Sequence, residues 1–145
     1  MLEFALLSPV VAALLAGFAG VSMTFVRTLQ ADQLCRQAVQ MAASGADFDQ
    51  DETRNQLYNR YGGRQLQERR GVLHLTHIER DAGGYRATRS FEIGNTKSSH
   101  LVMESPGQVI RLESGEDAWI AELWLDNDVV LSSVTPSELH ARAVL

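Results

Sequence analysis

The densest group of side chains able to do chemistry is acidic: Asp47, Asp49, Asp51 and Glu52. Alternating carboxylates of this kind invite a calcium loop. The EF-hand pattern, however, needs a glycine at its sixth position and a glutamate at its twelfth. Counted from Asp47, those positions hold Glu52 and Tyr58. Asp49 with Glu52 instead fits a D-x-x-E capping arrangement, which opens a short helix carrying Leu57, Tyr58 and Tyr61 and ending at Gly62-Gly63. The four histidines, His74, His77, His100 and His140, do not fall together in one element. His74 and His77 are three apart on a predicted strand and so point to opposite faces. Cys35 is the only cysteine, which excludes an intrachain disulfide and any CxxC metal cluster. Arg69-Arg70 is too short for a nucleic-acid patch. Nucleophile elbow, phosphate loop, zinc spacing and haem-attachment CxxCH are all absent from the sequence. The expectation is a protein with no catalytic, cofactor or metal site: a building block, not an enzyme.

The element that organises the chain is its first stretch. Phe4 to Val26 contains no charged residue, and about 20 apolar residues suffice for a helix to cross a bilayer. A soluble core helix would show polar residues every turn on its outer face. Three details mark the run: Glu3 at its start, Pro9 inside it, and two small-xxx-small pairs, Ala13 with Gly17 and Ala16 with Gly20. Such pairs let helices approach closely. A secretory signal peptide would want a basic n-region, a shorter apolar core and a cleavage site. No Lys or Arg precedes this run, so the chain is expected to be a mature form from which a basic leader was removed before Met1. Phe4, Phe18 and Phe25 read as packing groups.

The opening EFALLSP (Glu3 to Pro9), followed by an apolar run, an amphipathic helix and a strand-rich end, resembles the type IV pilin superfamily. The similarity is to its tight-adherence (Tad, TadE-like) branch of pilins and pseudopilins, where a proline follows the glutamate at the spacing of Pro9 to Glu3. It covers about the first thirty residues, and the family's glutamate usually lies further into the mature chain than Glu3 does. The resemblance implies processing by a prepilin peptidase, single-pass residence in the inner membrane before assembly, and polymerisation by the pilus machinery into an extracellular filament. The assembly residues it implies are Met1, Glu3, Phe4, Pro9, Ala13, Ala16, Gly17 and Gly20. A charged Glu3 is costly within a membrane, and the α-amine of Met1 on an adjacent subunit is its expected partner. Pro9, which removes an intrahelical hydrogen bond, and the nearby glycines are expected to permit a kink or melted turn during extrusion.

After Val26 the pattern continues as an amphipathic helix: Ala31, Leu34, Cys35, Ala38, Met41 and Ala42 recur at three- and four-residue spacing. The helix is expected from about Leu2 to Ala43, stopping at Ser44-Gly45, with Cys35 a buried, inert thiol on its apolar stripe. From Gly71 the period drops to two. Leu73 and Leu75 alternate with His74 and Thr76; Tyr85, Ala87, Phe91 and Ile93 share a face with Arg89 as the exception; Asp81 to Gly84 is the turn between them. Further strands are predicted over Leu101 to Glu104, Gln108 to Glu113, Trp119 to Leu125 and, after a turn at Asp126 to Asp128, Val129 to Ser132. Thr135 to Glu138 reads as a capping box opening a C-terminal helix.

The expected fold is therefore α+β: a long N-terminal helix packed on a small antiparallel sheet with one covered face. Residues 1–26 form the apolar segment, and 27–145 the amphipathic half plus the β-rich domain. The 145 residues are 45% hydrophobic with a formal net charge of −5, which argues against nucleic acid as a partner. The functional expectation is a homopolymer built through the N-terminal helices and used in adhesion, surface attachment or motility. The alternatives are a minor pseudopilin that primes assembly or serves a secretion system, and a single-pass membrane-anchored binding domain.

Overall fold

The computed structural model describes residues 2–59, 63–68, 70–94, 101–126 and 138–145. Helix α1 (Leu2–Ala43) is a single run of 42 residues, about 63 Å long at 1.5 Å per residue. Its bounds are those expected, and it closes where glycine permits. Gly45 adopts φ +88°, a left-handed conformation that side chains with a Cβ disfavour. Its N–H donates to the Ala42 carbonyl and that of Ala46 to Met41, both at 3.0 Å, which caps the last carbonyls in a Schellman arrangement.

Four antiparallel strands follow: β1 (Gly71–Asp81), β2 (Gly84–Gly94), β3 (Asp117–Asp126) and β4 (Glu138–Val144), in the order β2-β1-β3-β4. The expected DAGG turn joins β1 to β2, with Asp81 Oδ1 accepting from the Gly83 N–H at 2.7 Å. The α+β layout is as anticipated. On the inner face, Leu34, Cys35 and Ala38 of α1 are fully buried with Leu73, Leu75 and Leu123. Burying one such leucine contributes about 1.5–3 kcal/mol. The loop after α1 extends this cover. Phe48 meets Phe91 edge-on at 5.5 Å, and Phe91 stacks with Trp119 at 6.2 Å.

The sheet is covered on both faces, not one. On the outer face Ile78 and Ile120 pack with Val102 and Leu112. As one of the two central strands, β1 thus buries His74 and Thr76 along with its leucines. The alternation in β2 is also divided by a bulge. His77 pairs with Arg89 and Ile78 with Ala87, leaving Thr88 as an extra residue. One added residue turns the following side chains over. Phe91 and Ile93 therefore join the inner core, while Tyr85 packs with the outer one. Arg89 lies 4.7 Å over the Phe91 ring and bonds Asp47 at 3.2 Å.

Several expected elements differ. The stretches Leu101 to Glu104 and Gln108 to Glu113 are not strands. Short helices α4 (Leu101–Glu104) and α5 (Pro106–Val109) stand there, with Pro106 in the first turn where its missing N–H is harmless. The C-terminal segment is β4, not a helix. Leu139, Ala141 and Ala143 pair across β3 from Leu125, Leu123 and Ala121, and that pairing overrides the helical preference of Ala and Arg. The D-x-x-E box is not formed. Helix α2 (Asp51–Tyr58) starts from Gln50 without a side-chain cap, because Asp47 and Asp49 are engaged elsewhere. It ends at Tyr58, and Gly63 opens α3 (Gly63–Gln67) instead of closing α2. The expected strand Val129 to Ser132, together with Tyr61, Gly62 and Thr135 to Ser137, lies outside the described residues.

Candidate assembly surface

Helix α1 divides at about residue 30. Beyond it, Ala31, Leu34, Cys35, Ala38, Val39 and Ala42 are buried; before it, large apolar side chains stand in the open. Leu7, Val10, Val11, Leu14, Leu15, Phe18, Val21, Met23, Phe25, Val26 and Leu29 are between 48% and 80% exposed, Phe18 the most. Covering eleven such side chains in lipid or protein is worth on the order of 20 kcal/mol. This is more than the whole stability of a typical small domain. The helix is long and apolar enough to cross a membrane, with a mean hydropathy of 2.0 in its best window.

The expected assembly residues take the following places. Met1 lies outside the described residues, and Glu3 and Phe4 enter as backbone positions in the first turn of α1. Pro9 sits inside an unbroken helix. Ala13 and Ala16 are exposed and Gly17 half-buried, with nothing within 4 Å of the space a Cβ would take at Gly17. Gly20 is buried. It stands eleven residues, about three helical turns, before Ala31 and so on the same side of α1. The glycines thus continue the domain-facing stripe. A ridge of large residues, Leu7, Val11, Leu14, Phe18, Val21 and Phe25, runs about a third of a turn round from that stripe, at alternating four- and three-residue spacing. That spacing is the one that packs helices side by side as knobs into holes.

The acidic loop is used internally. Asp47 Oδ1 accepts from the Asp49 N–H at 3.3 Å and from Arg89 at 3.2 Å. Among the described residues no group of three or more His, Cys, Asp or Glu is placed to hold a metal. Cys35 is buried at the helix–sheet contact, and burial pushes its thiol up to about 12, far from the thiolate range in which a cysteine reacts.

Two side-chain constellations were hidden from the sequence. His77 bridges three strands: Nδ1 lies 2.6 Å from Thr88 Oγ1 and Nε2 2.8 Å from Asp117 Oδ2, with the ring 4.9 Å from Trp119. Hydroxyl, imidazole and carboxylate in that order resemble an activated nucleophile. The neighbouring open cleft is lined by Glu79, Asp81, Glu116 and Asp117 with Arg80 as the one cation, a net negative lining that opposes a developing oxyanion. The trio acts as a cross-strand pin. The second constellation is a row across the outer face, Glu92–His74–Glu122–Arg142, one residue per strand. Glu122 is 0% exposed and His74 2%. Arg142 donates to Glu122 Oε1 at 3.0 Å, the Val102 N–H donates to Oε2 at 3.1 Å, and His74 Nδ1 lies 3.6 Å from Glu92. The trace in the sequence is slight: Glu122 sits between Ile120 and Trp124 on its own face, so apolar neighbours flank it.

No family model, curated protein or solved structure matches this chain.

Proposed function

We propose that this chain is a structural subunit that polymerises through the exposed half of α1, a pilin of the type IV, tight-adherence kind, coating a helix-cored filament with its β-rich domain. One observation carries the reading: a single unbroken helix whose second half belongs to a folded core and whose first half displays large apolar side chains to nothing. Such a helix is covered by lipid before assembly and by copies of itself afterwards. Repeated head-to-tail contacts of this sort do not close and so extend into fibres. Glu3 at the tip would then pair with a neighbouring subunit's α-amine and set the stagger. The unbroken helix at Pro9 lends no support to a melted turn there.

Shearing cell-surface material and imaging it by electron microscopy tests the proposal. Filaments whose dominant protein is this chain support it. Filaments in which it is a trace component favour the minor pseudopilin. Recovery only as a membrane-anchored monomer overturns the polymer and leaves an anchored domain.

A further inference from the structure

Residues 101–112 cross the outer face of the sheet, on the side away from α1, as a strap of two helical turns and an extended end. Among the described residues its buried apolar contacts are few. Val102 and Leu112 pack with Ile78, Ala118 and Ile120, five buried residues among those described, against eighteen in the core under α1. A layer with so little apolar burial is the low-stability part of a domain. The strap is held at both ends by polar contacts. At one end, the Val102 N–H donates to Glu122 Oε2. At the other, the Tyr85 hydroxyl donates to the Ile110 carbonyl and accepts from the Leu112 N–H, and Arg80 donates to the Leu112 carbonyl. Glu122 has a second tie: its other oxygen accepts from Arg142 on the edge strand β4.

We propose that Glu122 is a latch that couples the strap to the edge strand β4, so that the outer layer opens as a unit while the α1-facing core stays folded. A fully buried carboxylate is tolerable only while its charge is compensated and its oxygens accept hydrogen bonds. Removing the Arg142 guanidinium takes a donor and a positive charge away from Glu122, whose carboxylate must then recruit water or shift. Either event disturbs the oxygen that holds Val102. A change on β4 is thereby felt at the strap, and by reciprocity a displaced strap loosens β4. The domain then has two layers of unequal stability on the two faces of one sheet, joined through β4, which also packs under α1.

Native-state hydrogen exchange on the full chain, in detergent or in the assembled particle, reads this directly. In Glu122→Gln and Arg142→Met, exchange of the strap amides 102–112 should rise about tenfold or more while residues 31–42 of α1 change little. The Arg142→Met result is decisive, because among the described residues Arg142 bonds Glu122 and makes no hydrogen bond to the strap. Strap exchange unchanged in Arg142→Met overturns the coupling. An equal rise throughout the domain overturns it too, since it shows global destabilisation. Should Arg142→Met lose the α1 protection altogether, Glu122→Gln decides: a rise in the amides of both the strap and β4 with α1 still protected supports the latch, and a rise confined to the strap or spread uniformly overturns it.

Discussion

His140 shows how a single side chain records its surroundings. Its ring stacks on Trp124 at 4.0 Å and 16°. Burial lowers its pKa below the ordinary 6.5, the Arg142 charge adds to that, and Glu122 opposes it. The unfolded chain therefore takes up a proton at a higher pH than the folded one. As the pH falls through 6.5 toward the depressed value, the unfolded state gains protons that the folded state refuses, so this residue's contribution to stability declines across that window. Thermal midpoints of the wild type and of His140→Gln, followed from about pH 7.5 to about pH 5.5, should separate the effect. The wild type should lose more on acidification than the variant. Parallel curves would show that His140 senses nothing. Cys35 and Glu122 are both buried but differently placed: desolvation pushes the thiol up, whereas the carboxylate accepts from Arg142 at 3.0 Å.

Among elements, α1 was the most legible. Its apolar run, its stripe from Ala31 to Ala42 and the glycine past its end are local signals, so the helix falls where they put it. The β1–β2 hairpin and β3 were legible for the same reason. What escaped was set by distant partners. Glu138 to Val144 reads as a capped helix until β3 is available to pair with it. Tyr85 and Phe91 look like one face until the bulge at Thr88 divides them. Glu122 looks like a solvated strand residue until Arg142 and the Val102 N–H close over it. The division of α1 makes two contrasting substitutions informative. Leu34→Ala lies in the core half and should cost the domain about 2–5 kcal/mol through the cavity it leaves, measured by denaturant unfolding. Phe18→Asp lies in the exposed half and should leave that unfolding midpoint unchanged while abolishing assembly, because a charge on the contact ridge would be buried without a partner. Filaments of normal yield from Phe18→Asp would remove that ridge from the contact.

At the scale of the whole molecule, the chain behaves as two parts sharing one helix, and their solubilities should be separable. Residues 1–29 hold most of the exposed large apolar side chains and only two charged residues, Glu3 and Arg27. Since these are of opposite sign, a chain beginning at Gln30 keeps the formal net charge of −5, enough to keep a small domain soluble. It also keeps Ala31 to Ala42, the helix residues buried against β3 and β4, so the inner core is complete. Such a chain should sediment in plain buffer as a folded monomer with the sheet intact, whereas the full chain should require detergent or appear as polymer. If the shortened chain aggregates or fails to fold, residues 1–29 contribute to the domain itself and are not solely a surface for other copies. If the full chain sediments as a lone monomer in plain buffer, on the order of 20 kcal/mol of uncovered apolar surface has found cover within its own molecule, and the polymer reading falls with it.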